Sequence, residues 1–254
     1  MKFSRAIVRL PGHSLIDGLS SAGLGLPDYD TALVQHAKYV EALKYCGLDV
    51  TTLPPDENYP DSTFIEDVAL LTSRCAVITN PGAPTRNGEA ENIGTALENF
   101  YSDIEKIRPP GTLEAGDLLA VENHYYVGLS ERTNEEGARQ LIEILNRYGM
   151  TGSIIKLKNV LHLKTGTAYL GNNNMVVCGE FVTHPEFLKF SRIEIDEDES
   201  YAANCIRINE YVIVPLGFPK TAEKIRGAGY QVIETDVSEF RKLDGGLSCL
   251  SLRF

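Results

Sequence analysis

The sequence predicts an α/β fold in which a hairpin, a helix and a strand form one unit, and five such units close into a ring. Three observations lead there. Two short apolar runs around a polar turn, the mark of a β-hairpin, follow each of Asp67, Asp117, Thr167 and Asn204. Segments with helical apolar spacing separate these hairpins, and further apolar runs return after them. The two ends, residues 5–10 and 247–254, each supply one strand, and together they make a fifth unit. A unit of this kind cannot bury its own apolar face, so neighbours must stack, in a line or in a ring. Half-units at opposite ends of the chain favour the ring.

Taken in order, residues 5–10 read as a strand, and the glycine-rich stretch 11–29, which has no periodicity, as a mobile lid. Asp30 opens a helix with Leu33, Ala37, Val40 and Leu43 on one face, and Gly47 ends it. Residues 50–53 return as a strand. A weaker helix near 89–101 precedes a strand at 104–107. The capping box Thr133-Asn134-Glu135-Glu136 starts a helix carrying Ala138, Leu141, Ile142 and Leu145, stopped by Gly149 and followed by a strand at 152–157. A helix near 219–227 leads to a strand at 231–235, and Glu194 to Glu199 reads as a solvated loop. No Pro-, Gly- or Ser-rich linker divides residues 1–254, so one domain is expected. A doubly wound parallel sheet is the alternative, but it has no need of hairpins, and no G-x-G-x-x-G opens a helix here.

A net charge of −11 disfavours nucleic acid and anionic lipid as partners and suits a cationic small molecule. There is no apolar run of membrane-spanning length, and charges interrupt the first residues where a signal peptide needs its apolar core. The five cysteines (46, 75, 178, 205, 249) are odd in number and without C-x-x-C spacing. They fit free thiols in a reducing cytoplasm.

Cys249, behind Gly245-Gly246 and close to the C-terminal end, is the candidate nucleophile; the other cysteines sit within helical or strand patterns and read as core. His162, in Leu-His-Leu-Lys-Thr-Gly, is a candidate acid/base or a buried hydrogen-bonded histidine. His36, His124 and His184 read as surface residues. Glu66 and Asp67 follow Phe64-Ile65 and precede an apolar strand, and Glu114 and Asp117 recur one repeat later. Charges so embedded need partners. A bound guanidinium, with five N–H donors, would serve; so would an internal ion pair with Arg74 or another arginine. A zinc site of one Cys, one His and one Glu lacks ligand spacing, and no metal or cofactor is expected. In a ring, the starts of the hairpins meet at the axis, which would bring these residues together.

Phe64-x-Glu66-Asp67, Glu114-x-Gly116-Asp117, His162 and Gly-Gly-x-Ser-Cys249 resemble the guanidine-modifying superfamily of arginine deiminases, amidinotransferases and dimethylarginine dimethylaminohydrolases. Leu53-Pro54-Pro55-Asp56-Glu57, Leu161 to Gly166 and Ser251-Leu252-Arg253-Phe254 extend the likeness to the bacterial dimethylarginine dimethylaminohydrolases over nearly the whole chain. The resemblance implies a five-bladed α/β propeller and cleavage of Nω-methylated arginine to citrulline through a covalent thiouronium. It implies Cys249 as nucleophile, His162 as acid/base and Glu114 as the residue that orients His162 and touches substrate. Asp61, Glu66 and Asp67 would hold the guanidinium, Arg86 and Arg132 the carboxylate, and backbone groups of Leu19 and Leu243 the α-amino end. Leu243 stands where the family carries isoleucine. The chain is too short for the insertions of arginine deiminases and amidinotransferases; a homodimer is compatible with it.

Overall fold

The computed structural model describes residues 2–254. Strands β1 (Arg5–Arg9) and β2 (Asp49–Leu53) flank helix α1 (Tyr29–Tyr45). Then follow β3 (Ala69–Leu71), β4 (Ala76–Ile78), the short α2 (Ile93–Leu97) and β5 (Ile104–Lys106). Next come β6 (Leu118–Val121), β7 (His124–Leu129), α3 (Glu135–Arg147) and β8 (Thr151–Lys156). β9 (Thr167–Gly171), β10 (Asn174–Val177) and β11 (Ser191–Glu194) precede β12 (Ile206–Ile208), β13 (Tyr211–Pro215), α4 (Pro219–Gly227) and β14 (Gln231–Thr235). The short α5 (Ser238–Arg241) and β15 (Leu252–Arg253) complete the succession.

The strands form five three-stranded sheets, ordered β15-β1-β2, β3-β4-β5, β6-β7-β8, β9-β10-β11 and β12-β13-β14. In each, the middle strand runs antiparallel to one neighbour and parallel to the other. A short turn joins the antiparallel pair in four of the sheets, whereas the parallel pair needs a crossover, which holds an α-helix in every sheet but β9-β10-β11. The β9–β10 turn puts Asn172 and Asn173 at φ 50 and 63, a conformation asparagine tolerates. The expected fifth unit is present: Ala6 and Ile7 of β1 pair with Arg253 and Leu252 of β15.

The core lies between neighbouring sheets. Val8 of β1 packs in one cluster with Ile213 of β13 and Phe240 of α5, and Val77 of β4 packs in another with Val127 of β7 and Leu141 of α3. Full burial of each such side chain contributes about 1.5–3 kcal/mol. The sheets therefore cohere only through one another.

A 3-10 turn stands ahead of each first strand: Ile65–Val68, Ala115–Asp117, Leu163–Thr165, Glu197–Ala203 and Ser248–Leu250. Successive turns touch, and the last also touches the first. The side chain of Asn204 joins the remaining pair, donating to Ser248 Oγ at 3.1 Å and accepting from Ser248 N at 2.9 Å.

Several expectations need correction. Helix α1 is capped by Asp28, whose side chain accepts from Thr31 N, and its buried face carries Ala32, Gln35, His36, Tyr39, Ala42 and Leu43. Its polar members are held by partners elsewhere in the fold, so hydropathy alone misplaces the face; His36 is thus interior, not surface. In α3 the cap is Asn134 alone, accepting from Gly137 N, because Thr133 Oγ1 is engaged by Glu114 N. Residues 247–251 are a turn, not strand. The crossover to β11 holds only 3-10 turns, since Gly179 and Pro185 interrupt any helix. Glu199 is buried and accepts from Lys220 N and Thr221 N, capping α4 from a distance. No described helix is long and apolar enough to cross a membrane.

Candidate active site

Four of the five turns carry the candidate chemistry. Cys249 sits in the turn before β15 and is 9% exposed. The two glycines ahead of it are required by close packing: a Cβ on Gly245 would lie 2.2 Å from the Phe64 ring, and one on Gly246 would lie 2.5 Å from the Asn204 side chain. Gly246 N points at the Cys249 sulfur at 3.4 Å. Burial, then the charges of Asp67 and Glu66, push the thiol up to about 12.

His162 caps the turn before β9. Its Nε2–H donates to Glu114 Oε2 at 2.9 Å. Burial alone would lower its pKa, but the Glu114 hydrogen bond and the charges of Asp67 and Asp117 overcome this and raise it to about 9. Glu114 is held in turn by Ala83 N, which donates to Oε1 at 3.2 Å. Gly116 lets the ring in: a Cβ there would lie 2.8 Å from His162 Nδ1.

Asp67 accepts from Gly116 N at 2.9 Å and from Arg86 Nη1 at 2.6 Å. Burial would raise its carboxyl, but Arg86 and His162 hold it below the ordinary value. Arg86 spends its guanidinium inside the protein, on Asp67, on Glu89 through two bonds of 2.7 Å and on the Phe64 carbonyl at 3.1 Å. Arg132 differs. Its backbone N donates to Ser130 Oγ, and its guanidinium has no hydrogen bond among the described residues.

The stretch expected to be a lid is docked over the site. Leu19 N donates to Asp61 Oδ1 at 3.1 Å, Ser20 Oγ to the Lys242 carbonyl at 2.5 Å, and Ser21 N to Asp244 Oδ2 at 2.5 Å. Burial pushes Asp61 up to about 6.

One cavity of about 50 Å³ is lined by Cys249, His162, Glu114, Asp67, Asp61, Arg86, Arg132, Leu19 and Leu243. Phe64, Leu161, Asp244 and Gly245 complete its wall. Sequence reasoning assigned these four no contact with a ligand's side chain; Phe64, Leu161 and Gly245 lay in quoted motifs, but nothing in the sequence distinguished Asp244. Glu66 is the one expected site residue absent from this lining. On the tight turn it points away from Asp67, and its Oε1 accepts from Lys164 Nζ and Arg253 Nη2, both at 2.7 Å. Glu66 borders a second cavity behind the turns, shared with Lys164, Ser248 and Ser251, and its Oε2 has no hydrogen-bond partner. The Glu66 side chain thus lies in an internal ion cluster beside the cavity.

Asp67, Glu114 and His162 bring one ligand atom each to within 4.8 Å of one another. The set suits a metal poorly: Asp67 is committed to Arg86, and an imidazole raised to about 9 is protonated at neutral pH. A Cys, a carboxylate and a cationic imidazole around one small cavity suit attack on an electron-poor carbon instead.

A family model described as N,N dimethylarginine dimethylhydrolase, eukaryotic, matches residues 29–250. The chain is 57% identical to the N(G),N(G)-dimethylarginine dimethylaminohydrolase of Pseudomonas aeruginosa, over 99% of this chain and 100% of that one. A cysteine-to-serine variant of the P. aeruginosa enzyme complexed with citrulline superposes with a TM-score of 0.99 at 56% identity, each chain covered completely at 100%. A histidine-to-glycine dimethylarginine dimethylaminohydrolase, in adduct with S-methyl-L-thiocitrulline, superposes at 0.98 with 57% identity, over 99% of this chain and 100% of that one.

Proposed function

The chain belongs to the dimethylarginine dimethylaminohydrolase family, and on that premise we propose that it hydrolyses Nω-methylated arginine to citrulline and a methylated amine. The observation that carries this reading is the single cavity shared by the Cys249 thiol and the hydrogen-bonded His162–Glu114 pair. The citrulline complex and the thiocitrulline adduct of the relatives support it.

In the proposed reaction the substrate guanidinium lies against Asp67 and Glu114, whose carboxylates have acceptor capacity left. The free thiol is held protonated by burial and acid neighbours. A bound cation offsets those neighbours, so the thiol proton leaves for solvent as substrate binds. The thiolate forms a C–S bond at the guanidinium carbon, and imidazolium His162 protonates the methylated nitrogen as its C–N bond breaks. Neutral His162 then takes a proton from water as its oxygen attacks the thiouronium. The C–S bond breaks and citrulline leaves. Positioning brings sulfur and carbon to about 3–3.5 Å.

The remaining roles follow from what each group has free. Arg132, with an uncommitted guanidinium, takes the α-carboxylate, while Arg86 holds Asp67 in place. Backbone groups of Leu19 and Leu243 meet the α-amino end beneath the loop anchored on Asp61. Residues 1–254 act as one domain, a five-bladed α/β propeller with the turns at its axis; the cyclic succession of turn contacts supports this. We extend the proposal to a cytoplasmic homodimer. Five free cysteines support the compartment, and light scattering at twice the 28.0 kDa chain mass would support the dimer.

Citrulline release from Nω,Nω-dimethylarginine, Nω-monomethylarginine and arginine, with chelator present, tests the activity. Turnover of the methylated substrates, undiminished by chelator and abolished in Cys249→Ser, is expected. Preference for arginine, or turnover surviving in Cys249→Ser, overturns the reading.

A further inference from the structure

Asp117 is the most enclosed carboxylate near the site, at 0% exposure, and it does not line the cavity. Its Oδ1 accepts from Leu163 N at 3.0 Å, the first peptide after His162. Its Oδ2 accepts from Ser130 Oγ at 2.6 Å. That hydroxyl oxygen in turn accepts from Arg132 N at 3.0 Å and Thr133 N at 3.2 Å. Thr133 Oγ1 accepts from Glu114 N at 3.2 Å. One side chain thus stands between the peptide that aims the imidazole and the loop that carries Arg132.

The choice of a carboxylate is informative. Asp67 and Glu89 are paired with Arg86, Glu66 with Lys164 and Arg253, and Glu114 with His162. Asp117 has no ion pair among the described residues. An unpaired buried charge is costly, and an asparagine, with one acceptor oxygen, would keep only one of the two bonds that Asp117 accepts. The charge is retained where the nearest cation available to it is imidazolium His162. Burial raises the Asp117 carboxyl, while His162, Ser130 and Leu163 N work against that rise.

We propose that Asp117 is a positioning residue that couples the acid/base to the carboxylate-binding arm, orienting His162 and Arg132 together. The inference rests on the proposed roles of those two residues. The groups facing His162 are Glu114 and Asp117 ahead of β6, Asp67 ahead of β3 and Cys249 ahead of β15; Lys164, on its own turn, is engaged by Glu66.

The test compares Asp117→Asn and Ser130→Ala with wild type by steady-state citrulline formation and NMR titration of His162. Asp117→Asn is expected to lower kcat and raise KM, each by about tenfold, and to move the His162 midpoint down by about one unit. Ser130→Ala keeps the charge and cuts the arm, so KM should rise about fivefold with the His162 midpoint unchanged. Folded Asp117→Asn with wild-type KM and wild-type His162 titration overturns the proposal. Should that variant fail to fold, a wild-type KM in Ser130→Ala overturns it. Failure of the parent reading is separately visible, as wild-type protein that makes no citrulline or Cys249→Ser that still does.

Discussion

His162 and His36 are both interior histidines, 8% and 1% exposed, and their pKa values move in opposite directions. His36, on α1 in the outer part of the fold, is lowered to about 4 by burial, opposed only by a backbone hydrogen bond at Arg9, and its Nε2 has no hydrogen-bond partner. His162 meets the same desolvation but stands among Glu114, Asp67 and Asp117, and it rises to about 9. Burial costs both rings the charged form; only the turns before the strands supply carboxylates that restore it. The fold thus contains two kinds of interior. Its outer layers are neutral packing, while the meeting point of the turns is a dense array of compensated charge.

The contrast can be broken by substitution. His162→Gly should lower kcat about 10³-fold, whereas His36→Leu should leave kcat within about twofold of wild type, both read by citrulline release. An equal loss in the two variants would erase the distinction. Acid stability sharpens it from the other side. His36 is neutral in the folded state, so the unfolded chain binds the extra proton below about 6.5; stability present above that pH is lost as pH falls toward about 4. The loss should approach about 3 kcal/mol. Urea unfolding across that range should show this slope in wild type and its removal in His36→Leu.

A smaller effect comes from crowding. Gly116→Ala would press a methyl against the imidazole and the Asp67 carboxylate. It should lower kcat by about 10–100-fold, with a stability loss of about 1–3 kcal/mol. An unchanged kcat would show that the ring has room to give. The subtlest test is the pH profile. His162 must be protonated to release the amine, so kcat should fall as its imidazolium is lost, at a pH that the bound cation sets below the free-site value of about 9. Removing one compensating charge with Glu114→Gln should bring that limb down by at least about one unit.

The same division explains what could be read from the chain. Hairpins after Asp67, Asp117 and Thr167 announce themselves through alternating apolar runs and turn residues, because that signal is local. Convergence of Cys249, His162 and Glu114 was legible once the repeats were aligned. The face of α1 was not. Tyr39 is buried because its hydroxyl donates to the Leu247 carbonyl and bonds Ser251 Oγ, and Gln35 because it joins Ser238 and Glu239 N. Those partners lie about 200 residues away in sequence, beyond any periodicity. The side to which Glu66 turns was hidden for a related reason. Adjacent acids on one tight turn look equivalent in sequence, and only the turn's geometry sends one to each side. Glu199, in an acidic run that reads as solvated, is interior because α4 lacks a cap of its own.

The cluster of Glu66, Lys164 and Arg253 links three separate turns and strands through one carboxylate oxygen. Losing the acid would strand both cations at once, at a cost of about 3–5 kcal/mol, whereas losing either cation leaves Glu66 with the other. Mutational drift is therefore blocked at Glu66 unless the cations change with it. Divergent lineages that lose the acid should lose both cations with it, and natural variants that keep Lys164 and Arg253 without an acid at position 66 would contradict that constraint.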